Sequence, residues 1–359
     1  MDIKKIRMDL HQIPELGKCE FQTKQYILNK LKSLDCEIYE IGKTGVVAYF
    51  NLKKDKTICF RADMDGLKIK EETNVEYKSK NEGFMHACGH DGHMAILLGY
   101  AFWVNENKSQ IPKNIVCLFQ PSEEEGAGAL DILKSGILDE LNVSEIYGLH
   151  IWPKLKENQL FTKSHALLAS SAEVNLRFHG ASVHAANRTD QSDAMLVMLN
   201  YIKDAYQKIN AIEGKHLLSF GVIHAGTARN IVAKEASAYA TMRSFDDEIH
   251  MKMCKILKEL KEDYEKRSSV IIELEINDIY RSVLNHESLI DKYKELLSLN
   301  ILEEPFMQAE DFGCYTRKYK CMFMLLGSGS NHLLHTNTFD FNMDILATGV
   351  EAYKLLTIN

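Results

Sequence analysis

The chain has 359 residues, of which 45% are hydrophobic and 26% charged, and a formal net charge of -7. That length exceeds one ordinary hydrophobic core and predicts two domains, while the composition excludes a disordered chain. A mild acidic excess with no block of Lys and Arg excludes a nucleic-acid or anionic-membrane surface and leaves small molecules as the expected partners.

The opening MDIKKIRMDLHQIPELG has no unbroken apolar stretch of the kind a secretory signal needs. The longest apolar run, 95–104, is too short to cross a bilayer, so the sequence reads as cytoplasmic with no membrane partner. Thr23 is placed as an N-cap ahead of Tyr26, Ile27, Leu28, Leu31 and Leu34, which recur at helical spacing. Apolar runs at 46–50 and 57–60 predict strands, followed by a helix at 93–104, a strand at 115–119, a Gly-rich turn, a helix at 129–135 and a strand at 146–149. That order suggests an α/β layer with a mostly parallel, buried central sheet. The eight cysteines are scattered without framework spacing, several inside apolar runs such as 58–60 and 116–118, and most read as small buried hydrophobes.

From about Ala169 the pattern changes, because Ala172, Val174, Leu176 and Phe178 alternate with polar residues, as in a sheet with one wet face. The elements then run strand 173–178, helix 193–209, strands 217–223 and 236–243, helix 248–265 and strand 270–276, which is the ferredoxin-like order. A continuous apolar strand returns at 321–326, followed by Gly327-Ser328-Gly329-Ser330. The expectation is a domain of residues 1–168 and 280–359 with a second, α+β domain of residues 169–279 inserted into it.

Residues 85–93, Met-His-Ala-Cys-Gly-His-Asp-Gly-His, concentrate three imidazoles, a thiol and a carboxylate. The i, i+2 spacing of Cys88 and His90 puts both on one face of an extended segment, where they could grip one cation. A structural zinc site needs four closed ligands, and no second paired unit lies nearby; a redox or structural pair stays open as the alternative. Asp63 and Asp65 follow the 57–60 strand, Glu123 and Glu124 follow the 115–119 strand, and His150 ends the 146–149 strand. All lie at carboxyl ends, the edge where open α/β sheets bind ligands. Adjacent glutamates point apart, so one can bind metal while its neighbour faces substrate as a base; Glu125 reads as a solvated turn residue. Gly42-Lys43-Thr44 resembles the end of a phosphate-binding loop, but Glu37 stands where its first glycine belongs.

These residues resemble peptidase family M20, the aminoacylase and carboxypeptidase metallopeptidases, and within it the amidohydrolase branch that includes hippurate hydrolases, auxin-conjugate hydrolases and N-acetyldiaminopimelate deacetylases. The resemblance rests on His11-Gln12-Ile13-Pro14-Glu15-Leu16-Gly17, Arg61-Ala62-Asp63-Met64-Asp65-Gly66-Leu67, residues 85–93 and 120–126, Gly148-Leu149-His150, residues 226–231, Ala309-Glu310-Asp311-Phe312-Gly313 and Leu334-His335-Thr336. It implies a zinc-peptidase-like catalytic domain and an inserted ferredoxin-like dimerisation, or lid, domain. It further implies two divalent metal ions per subunit, Zn, Mn, Ni or Co, held by Cys88, His90, Glu124, His150 and His335. Glu123 would be the general base and Asp65 an aspartate that orients a ligand. In the implied homodimer His184 serves the partner's active site, where it would stabilise the tetrahedral oxyanion, and Asn230 and Arg243 hold the substrate's polar end. The implied activity is hydrolysis of an N-acyl-L-amino acid, N-acetyl or N-benzoyl, to a carboxylic acid and a free amino acid. A dipeptidase or carboxypeptidase of the same family and a non-catalytic metal or amino-acid binding protein stay open as alternatives. The chain departs from the family pattern at Ser182-Val183-His184, where Gly-Gly-His is usual, and at Ala233 and Lys68, where prolines are usual. None removes a ligand, but a β-branched Val183 narrows the conformations open to the loop around His184.

Overall fold

The computed structural model describes residues 1–126 and 128–359. They divide into two units: Met1–Leu167 with Val283–Pro305 and Asp311–Asn359, and Leu168–Ser282 with Phe306–Glu310. In chain order the strands are β1 (Glu37–Ile41), β2 (Gly45–Phe50), β3 (Thr57–Asp63), β4 (Asn114–Gln120), β5 (Val143–Trp152), β6 (Leu160–Thr162), β7 (His165–Leu168), β8 (Ser171–His179), β9 (His216–Ala225), β10 (Glu235–Ser244), β11 (Ile271–Tyr280), β12 (Val283–Asn285), β13 (Asn300–Ile301) and β14 (Lys320–Gly327).

The large sheet of the first unit has the order β1-β2-β4-β3-β5-β14-β6-β13. Its centre, β4, β3, β5 and β14, is parallel, and antiparallel pairings of β1 with β2, β2 with β4 and β14 with β6 flank it. Every residue of β2, β3 and β4 is buried, which is why their central stretches read as continuous apolar runs rather than alternating ones. The helix His90–Asn107 is buried along most of its length and packs on β3 and on the helices Ile3–His11 and Ile345–Ile358. Phe60 of β3 anchors this layer, its ring 4.6 Å from Tyr100, 5.3 Å from Tyr147 and 4.7 Å from Tyr353.

The helix expected behind Thr23 starts earlier, at Phe21, with Thr23 inside its first turn. Its open N–H groups are met by Glu15, whose carboxylate accepts from the backbone of Gln22 at 3.1 Å and of Thr23 at 3.0 Å. A carboxylate brought in from the preceding loop therefore does the capping that spacing alone assigned to Thr23.

In the second unit the sheet order is β11-β8-β10-β9, all antiparallel, with the helix Ala194–Ile209 between β8 and β9 and the helix Asp247–Arg267 between β10 and β11. That is the ferredoxin-like arrangement. Ala172, Val174, Leu176 and Phe178 turn inward from β8 against Val197, Tyr201, Leu257 and Leu260 of the helices. Asp193 and Asp246 cap the two helices through their side chains. Among the described residues, no helix is long and apolar enough to cross a membrane.

Candidate metal centre

The central parallel strands of the first unit deliver polar residues to their carboxyl edge. Asp63 is the last residue of β3, and Glu123 and Glu124 follow β4 after Pro121 and Ser122. His150 lies inside β5 rather than at its end, because the strand runs on to Trp152. Cys88 and His90 are not on an extended segment. Residues 87–89 form a turn, Gly89 takes φ 88°, a left-handed value open to glycine, and His90 opens the helix His90–Asn107. This bend, not a strand period, brings their donor atoms together.

Two overlapping groups of donors result, Cys88 with His90 and His150, and Cys88 with Glu124 and His335, each with its ligand atoms within 4.8 Å of one another. Cys88 Sγ lies 3.4 Å from His150 Nε2 and 3.3 Å from His335 Nε2. Glu124 Oε1 lies 3.0 Å from His335 Nε2 and 3.9 Å from His90 Nε2. Glu123 belongs to a third such group, with His90 and Glu124. His335 reaches the cluster from a backbone at φ 62°, uncommon for a residue with a Cβ, and its N–H donates to Ala87 O at 2.9 Å.

The hydrogen bonds select which histidines can donate a lone pair. His90 Nδ1 donates to Asp65 O at 2.9 Å and His150 Nδ1 donates to Ile151 O at 2.7 Å, so each presents Nε2 to the cluster. His93 is different: its Nε2 accepts from Ile151 N at 2.8 Å, so its Nδ1 carries the proton and donates to Asp63 Oδ1 at 2.6 Å. Both nitrogens of His93 are spent, and the ring packs edge-on to His150 at 4.5 Å, steadying it. His86 is buried and absent from these donor groups, and burial pushes its pKa down to about 3.

The electrostatics suit this cluster to a cation. Burial disfavours charge on His90, but Asp63, then Asp65 and Glu124, outweigh it and raise its pKa to about 10. Burial, with Glu124, Glu123 and Asp63, pushes the Cys88 thiol well above its ordinary value, whereas burial holds His150 neutral. Glu124 resists its own burial and stays below the ordinary carboxylate value through His335 and His90. Thiol, imidazole and carboxylate are the donors borderline divalent ions take, and His90 Nε2 is buried with no hydrogen-bond partner among the described residues. These residues fit a metal.

Asp65 holds the glutamate pair: its carboxylate accepts from Glu123 N at 3.1 Å and Glu124 N at 2.9 Å. Ser122, at φ 55°, is held by Glu20, which accepts from Ser122 N at 2.8 Å. Sequence reasoning missed a buried frame behind this turn. Arg61, inside β3, donates to Asp63 at 2.7 Å, to Gln120 at 2.9 Å and to Asp311 at 2.8 Å, and Asp311 N donates to Glu123 Oε1 at 3.4 Å. An arginine directly after the apolar run of β3 was the signal available for it.

His184, Asn230 and Arg243 lie in the second unit. His184 and Ile231 form an isolated antiparallel bridge, and Ala185 N donates to Asn230 O at 3.0 Å, so His184 and Asn230 share one exposed corner. Val183 accepts from Val232 N at 2.9 Å and is not among the residues with positive φ, so the β-branched residue fits its loop. Arg243 is partly buried in β10, its Nη1 donating to Met307 O at 2.7 Å.

Residues 59–359 match the model of peptidase family M20/M25/M40. The chain is similar to N-acetyldiaminopimelate deacetylases of Streptococcus pneumoniae serotype 19F (strain G54), 33% identical over 98% of this chain and 97% of the relative, and of Streptococcus sanguinis (strain SK36), 34% identical over 93% and 92%. It is also similar to the crystal structure of a dinuclear metal binding peptidase of the M20 family from Bacillus subtilis, with a TM-score of 0.88 and 27% identity over 99% of this chain and 96% of that one. The chain belongs to the M20/M25/M40 peptidase family and is a metal-dependent amidohydrolase.

Proposed function

We propose that this protein hydrolyses the amide bond of N-acyl-L-amino acids, with an acetyl group favoured by the deacetylase names of its relatives. In this reading Cys88, His90, Glu124, His150 and His335 hold two divalent ions, Zn, Mn, Ni or Co, as the Bacillus subtilis structure is described as dinuclear. When bound, the ions supply Lewis acidity for the acyl carbonyl and a lowered pKa for a water.

The chain's own residues do the rest. Glu123 takes the proton of the attacking water and returns it to the departing amine, so one carboxylate serves as base and then acid. Asp65 keeps the two glutamates in register through their backbone N–H groups, so that Glu124 serves as a ligand while Glu123 handles the proton. Arg243 and Asn230 receive the substrate carboxylate, and the bond from Arg243 to Met307 O holds the guanidinium for that task. His184, offered across a homodimer by the domain of residues 169–279, donates to the oxyanion. Cys19, Cys36, Cys59, Cys88, Cys117, Cys254, Cys314 and Cys321 are all free thiols, which suits the reducing cytoplasm.

The observation that most supports this reading is the pair Glu123 and Glu124, one carboxylate against His335 and the other beside it, both anchored by Asp65. The test is turnover of N-acetyl and N-benzoyl amino acids and of free dipeptides by protein loaded with one ion at a time. We expect N-acetyl substrates to be cleaved, and Glu123→Gln to lose about 10²–10⁴-fold in kcat at unchanged metal content. Preference for dipeptides would favour a dipeptidase or carboxypeptidase. Ligand binding without turnover, indifferent to Glu123→Gln, would leave a binding protein.

A further inference from the structure

The segment that begins at His11 has no part in the reaction above, yet His11 and Arg7, on the helix Ile3–His11, are each only 1% exposed. A buried guanidinium needs partners, and besides Tyr77, whose hydroxyl accepts from Nη1 at 2.9 Å, Arg7 has carboxylates on two distant segments. Its Nε donates to Asp91 Oδ2 at 2.8 Å and its Nη2 to Asp340 Oδ1 at 2.8 Å. His11 Nδ1 lies 2.7 Å from the same Asp91 oxygen, and its Nε2 lies 3.3 Å from Glu71 Oε1. Asp91 directly follows His90, and Asp340 lies on the same loop as His335. The Arg7 guanidinium also stacks 4.2 Å from the ring centroid of Phe341, whose edge fills the space beside Gly92 so closely that an added Cβ there would meet it at 2.7 Å.

We propose that Arg7, supported by His11, is a positioning residue that clasps the segment bearing Cys88 and His90 to the segment bearing His335 and thereby sets the metal affinity of the centre. The inference rests on the reading that those three residues are ligands. The planar fork of arginine spans two carboxylates in fixed directions, which the single ammonium of lysine cannot reproduce. Loss of contacts that orient ligands from behind lowers metal affinity by about 10–100-fold.

The test is chelator competition on the full chain loaded with Co²⁺, for wild type, Arg7→Lys and Asp340→Asn. The visible spectrum of bound Co²⁺, which reports thiolate ligation by Cys88, and the urea midpoint are measured in parallel. Asp340 is 30% exposed in its side chain, and Asp340→Asn leaves the Asp91 arm intact, so this variant stays folded enough to decide the matter if Arg7→Lys does not. Both variants are expected to give up Co²⁺ about tenfold more readily with a changed spectrum, Asp340→Asn at an unchanged urea midpoint. Wild-type affinity and spectrum in Asp340→Asn, or affinity that falls only in step with the urea midpoint, would overturn the clasp alone. A wild-type chain that takes up no Co²⁺ would overturn the ligand assignment and the clasp together.

Discussion

Loading the centre with a divalent ion should expel protons, and the structure says from where. Burial and the surrounding carboxylates keep Cys88 a thiol, and Asp63, Asp65 and Glu124 overcome burial to raise the pKa of His90 to about 10. Both groups therefore carry a proton at a pH of about 6 to 8, and both must surrender it to donate a lone pair. Burial already holds His150 neutral, and Glu124 is already ionised, so neither adds to the count. An ion that takes Cys88 and His90 displaces about two protons, so its Kd should fall about a hundredfold per unit rise in pH, about 2.7 kcal/mol per unit. Isothermal calorimetry of Zn²⁺ or Co²⁺ into chelated protein, repeated in buffers of different protonation enthalpy, counts the protons directly. Cys88→Ser, whose hydroxyl keeps its proton, should remove about one of them. A count near zero in wild type, or one that Cys88→Ser leaves untouched, would refute the assignment of these two groups as ligands.

Two further outcomes test the surroundings of the site. Against burial, which disfavours its charge, Asp91 lifts the pKa of His11 from an ordinary 6.5 to about 9. The stability this contributes, up to about 3 kcal/mol, is complete below a pH of about 6.5 and lost as pH rises through about 9; urea midpoints at the two ends measure it, and His11→Gln should abolish the difference. Gly92→Ala would thrust a methyl against Ile151 Cδ1 at 2.6 Å and Phe341 Cζ at 2.7 Å, and overpacking there should cost about 1–3 kcal/mol of stability, read as a lower melting temperature.

Much of this protein was legible in one dimension. The apolar stretches 57–60 of β3 and 115–119 of β4 do not alternate because both faces of these strands are buried, and β8 reads as an alternation because one of its faces is wet. The ferredoxin-like order of the inserted elements followed from the same periods. Polar residues at the carboxyl ends of successive parallel strands had to share one edge, so the neighbourhood of Asp63, Glu123 and Glu124 was foreseeable.

The internal logic of that neighbourhood was not. Cys88 and His90 meet through the left-handed turn at Gly89 rather than through the extended geometry their spacing suggested. Nothing local separates His90 from His93; the difference lies in Asp65 O, Asp63 and Ile151 N, which reach those rings from other parts of the chain and fix which nitrogen holds the proton. The cap on the helix Phe21–Leu31 comes from Glu15, and Arg7 finds Asp91 and Asp340 only once the chain has folded. Hydrophobic periodicity is a property of neighbours in sequence, so the sequence by itself determined the elements and the edge where the site would form. Hydrogen-bond direction, proton location and the convergence of donor atoms depend on residues remote in the chain, and only the tertiary structure decided them.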